Sequence, residues 1–464
     1  MKALAERSKI VFLDHQGRDA ESGFQPNGLS GKLWNELKGW DAVVIESMAM
    51  YQIIPPAFRL ASRPVPEAHL WMLEGIASGI HPWWHHIGSV HEDKRQFQTA
   101  EPVFKWHEKN QDFLRQRRPV APVGLLWSQE NFDAYGQDES GTLVSEPLKG
   151  WAQALTRFRI PYRVVHIDQL AALAHELHGV ILPNLAVLSD AQVKTIQDFV
   201  AAGKGLIATG ESSRFDLDGR ARPDFALAGL WGAHSSGEAR VVPQALSHDW
   251  NRHGHHSYFR LPSEAAGPRS EILEGLEGTD LLAFGGMLTE VKAEVDTDSG
   301  LLSLLPAFPV FPPESAYPRK SGQDVVLPGL FLKGRAAYLP ADIDRYYARL
   351  RMPDQGRLLA NLALWACGGT LPFHIKGRGF VDCQLYRQDK RCILHMVNLA
   401  SGAELPAWEW LELGPFTVTL KARERTWKKV SSLVSGKSMK LRKLDGWVKV
   451  DIEKIKDHEV LVFE

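Results

Sequence analysis

The sequence contains very few cysteines: only Cys367, Cys383 and Cys392 occur among 464 residues. An odd, widely spaced set of this size cannot form a disulfide framework, and the lack of a CxxC pair argues against a structural zinc site. Disulfide-poor chains are typical of reducing compartments, so we expect a cytoplasmic protein.

An excess of charge is also missing, because 54 Lys and Arg residues balance 55 Asp and Glu residues. Nucleic-acid binding requires a basic excess, so we expect no nucleic-acid partner. No window approaches the roughly twenty apolar residues of a membrane-spanning helix. The first residues, MKALAERSKIVFLDHQG, lack the pattern of a signal peptide. We therefore expect no membrane partner either.

The remaining composition is that of a globular protein, with 44% hydrophobic and 23% charged residues. A chain of 464 residues exceeds what one hydrophobic core usually serves, which predicts two to four domains.

In the first 118 residues, two short apolar runs each end in a carboxylate. They are Lys9–Asp14 (KIVFLD) and Trp40–Glu46 (WDAVVIE). Pro66–Gly79 predicts a helix, since proline suits the first turn and glycine suits the C-terminal cap. Ile80–His86 (IHPWWHH) predicts a further strand. The alternation indicates parallel βα units, and we predict a domain boundary near residue 119.

Residues 119–369 repeat this alternation more clearly, as in a doubly wound α/β domain. The predicted strands are Pro122–Ser128, Tyr162–Ile167, Gly179–Pro183, Gly205–Gly210 and Gly334–Leu339, and the predicted helices are Glu146–Phe158, Ser189–Gly203 and Gln355–Cys367. Between about 236 and 330 the rhythm is lost, which predicts an irregular insertion. Short alternating strands over 370–464 predict a C-terminal β-sandwich.

Six stretches together carry a family resemblance. Three stretches resemble the β-galactosidase trimerisation domain, an amidotransferase-like fold of family 42 glycoside hydrolases: VGLLWSQENFDAYG at 123–136, HGVILPNLAVLSDAQVKTIQDFVAAGKGLIATGESSRFDLDGRARPDFALAGLWG at 178–232 and GRAAYLPADIDRYYARLRMPDQGRLLANLALWACGG at 334–369. The tail, with VNLASG at 397–402 and LGPFTVTLK at 413–421, is similar to their C-terminal β domain. In addition, RPVPEAHLWMLEGIASGIHPWWHHIG at 63–88 resembles the last βα unit of their catalytic barrel.

The resemblance implies an α/β chain of three domains: a partial (β/α)8 barrel at 1–118, an amidotransferase-like domain at 119–369 and a β-sandwich at 370–464. A whole barrel takes about 250 residues, so 118 residues hold roughly its last four βα units. Either Met1 is an internal methionine of a longer natural chain, or the rest of the barrel is supplied otherwise, or the barrel is degenerate. In the family, the general acid lies on the fourth barrel strand, which has no counterpart here.

The best catalytic candidates are Glu46 and Asp14. Glycoside hydrolysis needs two carboxyl groups, one that protonates the leaving oxygen and one that acts as a nucleophile or activates water. A carboxylate at the end of a buried parallel strand lies at the mouth of a barrel, where such enzymes carry out their chemistry. The alternatives are a strand-end Glu46 paired with an arginine and an Asp14 that caps a turn.

His81, Trp83 and His85 are candidate substrate-binding residues, because their spacing of two directs them to one face of a strand. An indole stacks on the apolar face of a sugar, and an imidazole donates to its hydroxyls. Packing of the tryptophans in a core is the competing interpretation. A zinc site is disfavoured, since His85 and His86 point to opposite faces, and we predict no bound metal.

The amidotransferase-like domain suggests a second chemistry, glutamine hydrolysis by a cysteine nucleophile on a sharp turn after a strand. The matching strand ends in Thr209, Gly210 and Glu211, and no cysteine precedes Cys367. We therefore predict that this domain is not catalytic and serves packing and subunit association.

Two functions from different classes remain open. The first is a glycoside hydrolase, β-galactosidase-like, that acts on a carbohydrate without a cofactor. The second is a non-catalytic carbohydrate-binding or assembly protein that keeps the accessory domains. In either case the resemblance implies a homo-oligomer, a trimer.

Overall fold

A computed structural model describes residues 5, 7–15, 23–49, 51–52, 58–86, 90, 92–241, 255–262, 271–305, 308–309, 311–317, 327–422 and 427–464. Its architecture is mixed α/β, as predicted. The chain divides into two compact units. The first comprises 1–121, 159–164 and 371–464, and the second comprises 122–158 and 165–370. Residues from both ends of the chain thus belong to one unit.

The first unit contains a three-stranded parallel sheet of β1 (Ile10–Leu13), β2 (Val43–Ala49) and β3 (His81–His85), with β2 in the centre. Helix α1 (Gln25–Lys38) connects β1 to β2, and helix α2 (Val65–Ala77) precedes β3. A short hairpin and two helices complete this region: strands Tyr51–Gln52 and Phe58–Ser62, and helices Arg95–Thr99 and Glu101–Leu114.

Helix α2 is predominantly apolar, and every residue from Pro66 to Ala77 is buried. A helix of this kind must be covered all round. Its side chains share one core with Met48 of β2 and with Val397 and Leu399 of the C-terminal region. The chain turns sharply at Gly79, whose φ of +89° is in the left-handed region that favours glycine. The predicted C-terminal glycine of this helix is therefore confirmed.

The C-terminal region of the first unit consists of two antiparallel sheets. The four-stranded sheet contains, in order, Phe373–Lys376, Phe416–Lys421, Trp447–Ile452 and Arg442–Leu444. The six-stranded sheet contains, in order, Ser438–Met439, Val430–Ser432, His458–Phe463, Arg391–Asn398, Val381–Gln388 and Arg118–Pro119. Apolar residues of both sheets, such as Val418 and Leu461, share one core.

The second unit is built on a six-stranded sheet. Its strands are, in order, Phe331–Lys333, Ala336–Leu339, Gly205–Thr209, Gly179–Leu182, Val123–Trp127 and Tyr162–His166. Strand Gly205–Thr209 runs parallel to both of its neighbours, and Phe331–Lys333 runs antiparallel to Ala336–Leu339. Alternate residues of the strands are buried against different helices, so both faces of this sheet are covered.

The helices of this unit are Glu146–Arg157, Leu170–Leu173, Asp190–Ala201, Ala228–Trp231, Ile343–Leu350 and Pro353–Ala366, with π-helical turns at Asn131–Gly136 and Gly141–Ser145. Ser189 caps Asp190–Ala201: its hydroxyl accepts from the backbone of Gln192, whose side chain accepts in return from the backbone of Ser189. The predicted start of this helix at Ser189 is confirmed.

The stretch 236–330 was predicted as an irregular insertion, and only part of it lies within the described residues. The described part is composed of short strands and connections. They are Ala233–Val241 paired with Met287–Ala293, the pair His255–His256 and Phe308–Pro309, and a small sheet of Leu281–Ala283, Tyr258–Arg260, Ser303–Leu304 and Leu327–Pro328.

Candidate functional site

Glu46 lies inside β2 rather than after its end. The strand continues through Ala49, because residues 45–49 keep the parallel register with β3, from Ile45 opposite His81 to Ala49 opposite His85. The sequence-based prediction ended this strand at Glu46, and that boundary was wrong. The Glu46 side chain is 2% exposed, and its Oε1 accepts a hydrogen bond of 2.8 Å from the backbone N–H of His15.

Asp14 directly follows β1 and is exposed. In the parallel register Leu13 lies opposite Glu46, so Asp14 is one residue beyond the partner of Glu46 on the neighbouring strand. Because parallel strands end at the same edge of a sheet, the two predicted carboxylates lie close in the backbone at the C-terminal side of β1 and β2.

Trp83 and His85 are brought together by the alternation of β3, as their spacing predicts. Their rings stack at a centroid distance of 4.9 Å and an angle of 12°. The ring of Phe12, on β1, meets Trp83 edge-on at 4.7 Å. Trp83 remains 40% exposed, whereas His85 is buried. The structure therefore presents an indole that is partly open to solvent and supported by two other rings.

Glu46 and the aromatic candidates occupy opposite faces of the sheet. Glu46 lies on the same face of β2 as Val44 and Met48, because the three residues are two positions apart. Val44 and Met48 are buried on the side of the helices. On the other face, Phe12 is 50% exposed and Val43 is 39% exposed. Parallel sheets are normally covered on both faces, so an apolar face that remains this open is unusual.

His81 is separated from the other two aromatic candidates. It starts β3, about 13 Å of strand away from His85, which ends it. Its ring lies 5.7 Å from that of His107, and burial, followed by the charges of Arg117 and Arg115, lowers the pKa of His81. His81 thus lies on the same face of β3 as Trp83 and His85, but at the opposite end of the strand.

Sequence reasoning missed Phe12, His15 and Trp71. His15 presents its ring edge-on to Trp71 of α2 at 4.7 Å, next to the hydrogen bond that its backbone donates to Glu46. Phe12 was accessible to prediction, because it alternates with the buried Val11 on a strand already recognised. The contact between His15 and Trp71 joins residues 56 positions apart in the chain and left no local signal.

No group of three or more His, Cys, Asp or Glu side chains suited to a metal ion occurs among the described residues. In the same part of the chain, no helix combines the length and the apolar character needed to cross a bilayer.

The second unit has a polar cluster at the turn that was compared with an amidotransferase nucleophile. Gly210 has a φ of +58°, and a β-carbon there would lie 2.5 Å from the Asn184 amide oxygen, so glycine is required. Asp344 lies below the turn, where Oδ2 accepts from the hydroxyl of Thr209 at 2.6 Å and from the indole of Trp151 at 3.1 Å. Burial raises the pKa of Asp344 to about 6.

This pKa predicts a pH dependence of stability. Since the native carboxyl binds its proton more tightly than an unfolded one with a pKa of 3.8, stability is lost as pH rises between about 4 and 6. The shift corresponds to roughly 3 kcal/mol in the free energy of unfolding. We expect the difference in stability between wild type and Asp344→Asn to change by about this amount from pH 4 to 7. Urea unfolding measures it, and Asp138→Asn, an exposed aspartate of the same unit, is the control. Parallel curves for wild type and Asp344→Asn would contradict the prediction.

A scan against protein-family models finds no match, and a search of curated proteins finds none by sequence. Solved structures do match. α-L-Fucosidase isoenzyme 2 from Paenibacillus thiaminolyticus aligns with a TM-score of 0.74 at 15% identity, over 100% of this chain and 66% of that one. The β-galactosidase from Bacillus circulans sp. alkalophilus gives 0.70 at 14% identity, over 100% and 61%. A GH42 β-galactosidase from G. stearothermophilus gives 0.68 at 16% identity, over 100% and 60%.

The chain has a GH42-like glycoside hydrolase fold. The recognition made from the sequence stretches is thereby confirmed at the level of the fold. At identities of 14–16% the likeness carries no information on activity. This chain spans only 60–66% of the length of the α-L-fucosidase and the two β-galactosidases.

Proposed function

We propose that this chain belongs to a glycoside hydrolase that cleaves a glycosidic bond by carboxylate chemistry, on a β-galactoside or a related carbohydrate and without a cofactor. The observation that carries the proposal is the register of β1 and β2 within a GH42-like fold, since it brings Asp14 and Glu46 to neighbouring positions. The C-terminal side of parallel strands is where barrel enzymes carry their active sites.

In this proposal Glu46 is the nucleophile or the base. Its Oε1 is held by the backbone N–H of His15, which orients the carboxylate and stabilises its negative charge. Asp14, one residue beyond the partner of Glu46, binds a sugar hydroxyl or orients Glu46. The second essential carboxyl group, the acid that protonates the leaving oxygen, comes from outside the three strands of this sheet.

The domain arrangement forms part of the same proposal. Residues 1–118 form the last part of a (β/α)8 barrel, 119–369 an amidotransferase-like domain that associates subunits, and 370–464 a β-sandwich. Additional βα units would cover the open face of β1, β2 and β3, where Phe12 and Val43 are exposed. We further propose a homo-oligomer, a trimer, whose mass can be measured by light scattering.

Trp83 and His85 are proposed to bind the sugar. The indole of Trp83 stacks on the ring of His85 and is 40% exposed, so part of it is available to a sugar. We expect Trp83→Ala to weaken the binding of lactose about 2- to 12-fold, the change that follows from losing an aromatic contact of roughly 0.5–1.5 kcal/mol. Trp408→Ala is the matched control, because Trp408 is 66% exposed in the same unit. Equal effects of both substitutions on calorimetric affinity would contradict the prediction.

A second function, carbohydrate binding without catalysis, is favoured by the separation of the candidates. Glu46 is buried on the face covered by helices, whereas Trp83 is open on the other face. A binding protein needs only the open indole and its supporting rings, while a hydrolase also needs access to the carboxylate.

Hydrolysis of a panel of aryl glycosides distinguishes the two functions. Hydrolysis is measured with this chain and with any N-terminally extended form that the upstream coding sequence provides. The Glu46→Gln variant of each form is measured in parallel. Activity that is lost in folded Glu46→Gln supports the hydrolase. A folded protein that binds lactose but shows no hydrolysis in either form would rule the hydrolase out and favour the binding protein.

A further inference from the structure

A pocket of about 520 Å³ lies at the amino-terminal ends of β2 and β3, the end of the sheet opposite Asp14. It is formed where Val43 and His81 begin their strands and by the segment 114–117 that follows helix Glu101–Leu114. Its volume is within the range of small-molecule sites. Trp40 forms an apolar part of the wall.

Arg117 is one of the residues that line this pocket, and its side chain is 2% exposed. One terminal nitrogen donates to the carbonyl of Ile76, the other meets Nε2 of His395 at 2.6 Å, and the guanidinium lies 4.3 Å from the centroid of the Tyr386 ring. The Nε–H is buried and has no hydrogen-bond partner among the residues that the structure describes. No carboxylate of the described residues forms an ion pair with Arg117.

A buried cation without an anionic partner is an expensive arrangement. The carbonyl of Ile76 belongs to the last turn of α2, where the helix dipole is negative, and the Tyr386 ring adds a cation–π contact. Both offset the charge only in part. The unpartnered Nε–H and the missing carboxylate therefore indicate that an anion belongs beside this guanidinium.

The other charged groups of the pocket leave this positive charge in place. Asp41 is paired with Arg118 at 2.5 Å, and Asp112 lies 3.4 Å from Arg115, so both carboxylates already have arginine partners. The neighbouring imidazole of His107 does not compensate the positive charge of Arg117. Burial, then His81 and the two arginines Arg117 and Arg115, lower the pKa of His107 to about 4.

We propose that this pocket binds an oxyanion, either a free inorganic ion or the phosphate or sulfate group of a small organic ligand, next to Arg115 and Arg117. The site is separate from the proposed catalytic region, because it lies at the opposite ends of the strands. Its existence does not depend on the proposed function.

Calorimetric titration of the full chain tests this proposal. Inorganic sulfate and a hexose 6-phosphate are the probes, and the neutral hexose is the reference ligand. Arg115→Gln removes an exposed cation of the pocket wall and should weaken binding of both anions at least tenfold. Arg378→Gln makes the same chemical change at an exposed site of the same unit that does not line the pocket, and should leave binding unchanged.

Tighter binding of the hexose phosphate than of sulfate would identify an organic ligand as the source of the oxyanion, and the reverse would identify the free ion. Equal affinities of Arg115→Gln and Arg378→Gln, equal binding of the neutral hexose, or no binding by wild type would each overturn the proposal.

Arg117→Met tests the proposed anion site most directly, but it removes a buried residue and can fail to fold. His81→Gln therefore serves as a second test variant. An anion beside His81 stabilises the protonated form of its imidazole. The positive charges of Arg115 and Arg117 and the neighbouring ring of His107 oppose that protonation, and Asp41 and Asp112 are the carboxylates that line the same wall. Sulfate keeps its charge between pH 6 and 8, so wild type should bind it more tightly at pH 6. His81→Gln should lose part of that difference, and an unchanged pH dependence would count against the site.

Discussion

Glu46→Gln is expected to lower the kcat of aryl glycoside hydrolysis by about 100- to 10,000-fold, the usual contribution of a single acid–base group. The amide has the size of the carboxylate, and its oxygen still accepts from the backbone N–H of His15, so the fold should be retained. What is lost is the negative charge that attacks the anomeric carbon or activates water. The measurement is kcat on the best substrate of the panel, with circular dichroism as the test of folding.

The matched control is Glu108→Gln. Glu108 is exposed on helix Glu101–Leu114 of the same unit, so the same chemical change there should leave kcat within twofold. Azide provides a further test with Glu46→Ala. A small anion replaces a missing nucleophile or base and restores turnover, whereas it cannot repair a merely structural loss. Unchanged activity of Glu46→Gln would remove this residue from the mechanism.

The regular elements were predictable where local chemistry determines them. Ser189 carries a hydroxyl suited to capping and has Gln192 three residues later, so the capping box was readable from the sequence. Gly79 was readable as a helix end, because the left-handed φ there favours glycine. The pairing of Trp83 with His85 followed from the period of a strand.

The surroundings of the candidate site were not predictable in the same way. The sequence shows that α2 is predominantly apolar, but not that residues such as Val397 cover it, since that contact joins positions more than 300 residues apart. For the same reason the face on which Glu46 lies could not be fixed. Which side of a strand is covered depends on distant elements, and a charged residue inside a strand looks like its end.

The buried ion pair of Glu36 with Arg163 joins two segments of the first unit that are distant in the chain. Glu36 is on α1, and Arg163 belongs to the short segment 159–164, which returns to the first unit. The guanidinium donates to both carboxylate oxygens, at 2.9 and 2.8 Å, and the two side chains are 2% and 5% exposed. The indole of Trp40 donates to the same carboxylate at 2.7 Å.

Glu36→Ala is expected to lower the free energy of unfolding by about 3–5 kcal/mol, because it leaves the charge of Arg163 buried without a partner. The measurement is urea unfolding of the full chain. Asp41→Ala is the matched control, since it breaks an arginine pair whose side chains are 59% and 47% exposed. Such a pair should cost no more than about 1 kcal/mol.

Replacing both Glu36 and Arg163 by Met should cost much less than Glu36→Ala alone, because no unpaired charge remains in the interior. The penalty of the single variant would then come from desolvated charge and not from lost packing. If the double variant is as unstable as the single one, the pair contributes through its specific geometry, and the attachment of 159–164 to the first unit depends on these hydrogen bonds. Either result measures how strongly a segment between residues of the second unit is held to α1.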